Sequence, residues 1–195
     1  MKKIILTIAL AVAATLSASA QFRIEAGVNF GSYKIGISRI SARVAPRVSV
    51  FYDLLEGENF GTEFGLQFVM QNVENRVTGN SAYGSKMSIS DIQLPVCEYV
   101  DFHINENFSI RPCIGAYIGV SVAGRTTRAD GTTDSPFGNE GMKRFDFGID
   151  DELLFILGKR FSIGIGSQHG LLDRSEDSRI HIKNNAFYAT VGFLF

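Results

Sequence analysis

The chain has no tryptophan, only four prolines and two cysteines, and no block of like charge. Formal net charge is −1, with Lys, Arg, Asp and Glu spread along the sequence, so neither a nucleic-acid surface nor an acidic tail is expected. His103, His169 and His181 are too scattered to suggest a metal centre. A glycine-rich phosphate loop between strand and helix is missing, as is any spaced Cys and His cluster, and no cofactor is expected. After Gln21 no apolar run approaches 18 residues. That excludes a helical membrane protein and leaves open a barrel, whose strands alternate apolar and polar positions.

What is present begins with an export signal. Lys2 and Lys3 precede a mostly apolar Ile4 to Leu16, and Ala18-Ser19-Ala20 is a small-residue cleavage site. Residues 1–20 are therefore expected to be removed, leaving one domain over residues 21–195. Sixteen Phe, six Tyr and twenty Gly favour strands and tight turns over helices.

Period-two alternation recurs in eight segments, each about as long as a tilted strand needs to cross a bilayer. In the first, Phe22, Ile24, Ala26, Val28 and Phe30 share one face, with Arg23, Glu25, Gly27 and Asn29 on the other. The third is the cleanest: Phe60, Phe64, Leu66, Phe68 and Met70 oppose Gly61, Glu63, Gly65, Gln67 and Gln71. The others lie at about 43–53, 86–101, 108–122, 145–157, 161–166 and 187–195. The sixth slips in phase near Asp151, which suggests a bulge, and Pro46, Pro95 and Pro112 each remove a ladder donor and argue for bulges or water access.

The connections alternate too. Those at Leu54 to Asn59, His103 to Asn107 and Gly158 to Arg160 are short; those near Gly31 to Ala42, Val73 to Ser85, Gly124 to Arg144 and Leu172 to Asn184 are long and polar. Aromatics flank each short turn: Tyr52 and Phe60, Phe102 and Phe108, Phe155 and Phe161, then Phe193 and Phe195. Short periplasmic turns, long outer loops and an aromatic girdle are features of an outer-membrane barrel. A soluble sandwich also alternates, but Arg47, Glu63, Gln67, Arg111, Asp146 and Glu152 would be an expensive set for a dry core. The reading is an all-β, eight-stranded antiparallel up-and-down transmembrane β-barrel in the bacterial outer membrane.

The segments Asp91-Ile92-Gln93-Leu94-Pro95-Val96, Arg111-Pro112-Cys113-Ile114-Gly115-Ala116-Tyr117-Ile118-Gly119, Arg144-Phe145-Asp146-Phe147-Gly148 and Ser167-Gln168-His169-Gly170-Leu171 carry a resemblance. Through them the whole mature chain resembles the PorT-like outer-membrane β-barrel proteins of Bacteroidetes. The resemblance implies fold rather than chemistry, and the family's namesake is linked to a protein secretion system, so an accessory role in such a system is one implied alternative.

A hairpin centred on Asn105 would set Cys97 opposite Cys113, and a cross-strand disulfide on the lumen face is expected, with two free thiols filling the interior as the alternative. An eight-stranded barrel is just wide enough for its own side chains, so Arg47, Glu63, Arg111, Asp146 and Glu152, with Arg23 and Glu25, are expected to form a paired lumen network. Phe193 and Phe195 are expected to form the C-terminal signal read by the barrel assembly machinery. Ser167 and His169, two apart on one face with Asp173 and Glu176 nearby, have the residue types with which small barrels hydrolyse lipid A acyl chains. The structural reading of that pair outweighs catalysis here, so no enzyme is expected. The expected role is structural or interactive, through external loops that meet lipopolysaccharide or a protein partner, among outer-membrane lipids.

Overall fold

The computed structural model describes residues 22–35, 38–39, 41–57, 59–74, 86–138, 141–176 and 181–195. The expected export signal and most of the expected loop at 73–85 lie outside the described residues. Eight long strands form: β1 Phe22–Ile35, β2 Ser41–Glu56, β3 Phe60–Glu74, β4 Lys86–Val100, β5 Phe108–Thr127, β6 Phe145–Leu157, β7 Phe161–Gly170 and β8 Ile182–Leu194. Each pairs antiparallel with its neighbours in sequence, and β8 pairs with β1, so the sheet closes on itself. Three short strands, Ser38–Arg39, Phe102–Asn105 and Thr133–Asp134, extend its hairpins.

The ladder fixes how the barrel is staggered. From Phe22 the pairing runs through Tyr52, Phe64, Val96, Ala116, Ile149, His169 and Asn185 and returns to β1 at Ser32, ten residues above its start. A closed sheet needs such a shear, and strands in barrels of this kind tilt by about 35–45°. Full closure also removes the unpaired edges that would otherwise recruit other strands.

Because side chains alternate across a pleated strand, each stave has one wall inside and one outside. In β3 every odd position from Gly61 to Val73 is buried, whereas Phe64, Leu66 and Phe68 stand outside, Leu66 being 55% exposed. The apolar face is the outer one on all eight staves, with Ile24, Val48, Leu94, Ile118, Ile149, Ile163 and Val191 exposed. Water-soluble monomers rarely leave apolar patches beyond about a few hundred Å² uncovered, so this surface belongs in lipid. At the end with the short turns, Phe22 packs on Tyr52 at 4.8 Å, Tyr52 on Phe64 at 5.7 Å and Phe161 on Phe193 at 5.3 Å, forming part of a ring.

Several expectations are corrected by the register. β6 keeps unbroken pairing with both neighbours through Asp151, so there is no bulge; Asp150 and Glu152 point inward and Asp151 points out. Register shifts occur instead between Arg43 and Arg47, around Pro46, and between Asp53 and Leu55, Ser90 and Asp91, and His103 and Asn105. The β4–β5 hairpin closes on Glu106-Asn107, with Asn105 Oδ1 accepting from Asn107 N at 2.9 Å. The centre is thereby displaced from Asn105, and the pairing moves two residues: Cys97 faces Gly115 and Cys113 faces Tyr99. The two cysteines become diagonal neighbours, a separation of about 7–8 Å that a disulfide does not span, and both are free thiols.

Candidate functional site

The interior is layered. Near the short turns, Cys97, Tyr99, Cys113, Leu154 and Ile156 form one buried apolar cluster; near the long loops, Tyr33, Val73, Ile89, Met142 and Ile182 form another. Between and around them lie buried charges. Among the described residues Arg23, Arg47, Arg111 and Arg174 meet Glu25, Glu63, Asp91, Asp146, Asp150 and Glu152, four cations against six carboxylates. Hydroxyl and amide donors make up the difference: Tyr117 and Asn184 donate to Asp146 at 3.0 and 3.1 Å, Tyr188 and Gln168 to Asp150 at 2.7 and 2.9 Å, and Thr190 to Glu152 at 3.2 Å.

Arg23 is the hub of the lower layer. Its guanidinium reaches Glu25 on its own strand, Glu63 of β3 at 2.5 Å and Glu152 of β6 at 3.2 Å, and it covers the Phe51 ring at 4.1 Å. Arg47 pairs with Asp150 at 3.4 Å and stacks on Tyr188 at 3.7 Å. Gly166 makes room for that ring, since a Cβ there would lie 2.3 Å from Tyr188 Cζ. Arg111 grips Asp101 through two nitrogens, at 2.8 and 2.6 Å, and lies 4.0 Å from Glu63. These contacts run from wall to wall and tie non-adjacent staves together.

Arg174, which sequence reasoning missed, comes from the loop between β7 and β8 and is fully buried. Its guanidinium donates to Ser121 Oγ at 2.5 Å and to the Lys143 carbonyl at 3.2 Å, and lies 3.8 Å from Asp146 and 3.9 Å from Asp91. Beside it, Phe137 and Met142 of the β5–β6 loop pack in the outer apolar cluster, and Met142 bridges to Ser175, the residue after Arg174. No periodic pattern could have found Arg174, because it stands in an irregular polar segment.

Ser167 and His169 are brought together, but with partners other than those expected. Asp173 is occupied by His181 and by the backbone N–H groups of Ser175 and Ile182, which hold its carboxyl down at about 2. Glu176 donates its backbone N–H to Gly141. The acid beside Ser167 is Asp151 of β6, whose Oδ1 accepts from Ser167 Oγ at 2.8 Å. His169 Nε2 lies 3.0 Å from the same Oγ, and its Nδ1 lies 3.2 Å from Asn185 Oδ1 of β8. All four side chains stand on the outer face of the wall. The only sequence signal for Asp151 was its break in apolar phase.

At the outer ends of β2, β4 and β5, Arg43, Lys86 and Arg125 line a pocket of about 280 Å³ with Asn72 and Ser88, while Glu74 sits across the ladder from Lys86. Their partners in register, Asn72 for Arg43 and Ser88 for Arg125, place this cluster on the lipid side. Phe193 packs between Phe161 and Phe195, 5.3 and 5.0 Å away. No group of three metal-ligating side chains occurs among the described residues.

Comparison with known proteins agrees with this geometry. Among solved structures, Neisserial surface protein A superposes with a TM-score of 0.60 at 12% identity over 91% of this chain and 99% of its own. The attachment invasion locus protein Ail of Yersinia pestis does so at 0.52 with 13% identity over the same shares, and has also been solved in complex with the heparin analogue sucrose octasulfate. At such identity the likeness shows the fold. No curated protein matches the chain. The family model described as outer membrane protein beta-barrel domain matches residues 13–175, and the chain belongs to that family of the bacterial outer membrane.

Proposed function

We propose that this barrel conducts nothing and works from its outer rim, holding the phosphate groups of lipopolysaccharide and presenting its external loops to a partner. The observation that carries this reading is the rim cluster of Arg43, Lys86 and Arg125. It faces the lipid side at the ends of strands that project toward the long loops, where phosphorylated headgroups of the outer leaflet stand. Guanidinium groups suit phosphate because their planar donors bind two oxygens at once. Among the described residues the interior offers no comparable open surface: its charges are held by one another and by hydroxyl and amide donors, and Met142 and Phe137 pack in its outer apolar cluster. A barrel of the same fold, Ail, has been solved with a polysulfated ligand, and polyanion binding by this chain is in keeping with that.

Within the family the chain is a PorT-like member, an assignment supported by the Asp91–Val96 and Arg111–Gly119 segments on β4 and β5. The aromatic end at Phe193 and Phe195 serves as its signal to the barrel assembly machinery. The test is co-purification of lipopolysaccharide with the full chain after gentle detergent extraction. Reversing the rim charge (R43E, K86E and R125E together) is expected to reduce the bound lipopolysaccharide at least about tenfold, since each charged hydrogen bond contributes about 1.5–3 kcal/mol. Retention at the original level, or large channel conductance of the purified protein in planar bilayers, contradicts the reading.

A further inference from the structure

Asp151 is out of place. It lies on the lipid side of β6 between Ile149 and Leu153, where a carboxylate facing hydrocarbon is destabilising. Its company explains its presence: Ser167 directly opposite on β7, His169 one pleat above, and Asn185 beyond on β8. Asp151 and Ser167 line a groove of about 650 Å³ in the outer wall, whose apolar sides are Phe30, Ile114, Leu153, Ile165, Phe187 and Ala189, and the His169–Asn185 pair stands one pleat above it. That volume falls within the range of about 300–1,000 Å³ typical of small-ligand sites. Ser167, though it points outward, is only 7% exposed, because it lies at the bottom of this groove.

The height of the cluster identifies what can reach it. Ser167 is six residues above Phe161 of the aromatic ring. At about 3.3 Å per residue along strands tilted by about 40°, that is about 15 Å, with His169 about 20 Å up. In an apolar band about 25 Å tall, both fall in the outer-leaflet half, at the depth of acyl chains and their ester groups.

We propose that Ser167, His169, Asp151 and Asn185 form an esterase site that removes an acyl chain from an outer-leaflet lipid lying in this groove. It acts independently of the rim cluster. The arrangement meets the requirement for an activated nucleophile: a base within hydrogen-bond reach of a hydroxyl, itself oriented by a third group. Asn185 Oδ1 can only accept, so the proton of His169 sits on Nδ1 and Nε2 is left as the acceptor. The Ser167 hydroxyl, which rests on Asp151 Oδ1, turns its proton to Nε2 at 3.0 Å, and Oγ attacks the acyl carbonyl carbon as Nε2 takes that proton. The ester C–O bond then breaks, and the leaving alkoxide recovers that proton from Nε2. Water, activated by the same nitrogen, hydrolyses the acyl-serine and releases a fatty acid. Asp151 Oδ1 is 3.9 Å from Nε2, where positive charge develops, and in apolar surroundings that attraction is strong. The backbone N–H groups around Ser167 belong to the β6–β7 and β7–β8 ladders, so no main-chain oxyanion hole is free. Each such missing donor costs about 10²–10³ in kcat, and slow turnover is expected.

The test uses the full chain in vesicles and a fluorophosphonate, which phosphonylates activated serines irrespective of substrate. Ser167 of the wild type is expected to be labelled, with loss of about 100-fold or more in S167A and H169A, both still running as folded barrels on unheated gels. N185A should slow labelling with N185D restoring it, a rescue that a merely structural role would not give. Vesicles with lipopolysaccharide and vesicles of phospholipid alone then identify the lipid by which of them releases fatty acid. An unlabelled Ser167 in folded wild type, or fatty acid released by S167A at the wild-type rate, overturns the proposal.

Discussion

Arg23 illustrates what individual residues contribute. It is 3% exposed and faces Glu25, Glu63 and Glu152 at once. Buried ion pairs add little net stability compared with apolar replacements, because desolvation offsets their attraction, but removing one partner strands the rest. Arg23→Met leaves three carboxylates around an apolar side chain and is expected to destabilise the barrel by about 3–5 kcal/mol, read as a lower urea midpoint in reconstituted vesicles. A shift below about 1 kcal/mol would mean that the cluster is not assembled as described. The same residues show what the sequence makes legible. Alternation puts Arg47, Glu63, Arg111, Asp146 and Glu152 on the polar face of their strands, and in the barrel these side chains are buried. Which carboxylate each arginine serves was not legible, since partners such as Glu63 and Glu152 are remote in sequence and meet only after closure.

At the scale of elements, alternation placed all eight staves, and their ends were underestimated. β1 continues to Ile35 and β7 to Gly170, beyond the apolar pattern, because the staves rise out of the bilayer to carry the loops. Register was harder. A hairpin's register depends on the type of its turn, and Asn105-Glu106-Asn107 permits more than one. A two-residue turn with a bulge near Ile104 moved the pairing by two residues and parted Cys97 from Cys113. The short turn at Gly158 to Arg160 is marked more plainly: Gly158 and Lys159 have φ of 59° and 62°, a conformation glycine adopts freely and lysine does not. Two free thiols per chain are therefore expected in denatured protein without reductant; a count near zero that rises to two on reduction would show that the β4–β5 register is wrong.

The whole molecule is a sheet closed with a stagger of ten residues and turned inside out relative to a soluble protein, with an apolar outer face that includes Phe60, Phe64, Phe68 and Phe187, and with Arg23, Arg47, Arg111 and Arg174 inside. Any activity must lie on its outer wall, its rim or its loops, because the interior serves to hold the staves together. The absence of native tryptophan allows this orientation to be measured directly. With Leu66→Trp as the sole tryptophan, in vesicles of lipid brominated on the acyl chains, the account predicts strong fluorescence quenching. Emission unquenched by those lipids, from protein that remains soluble without detergent, would contradict it.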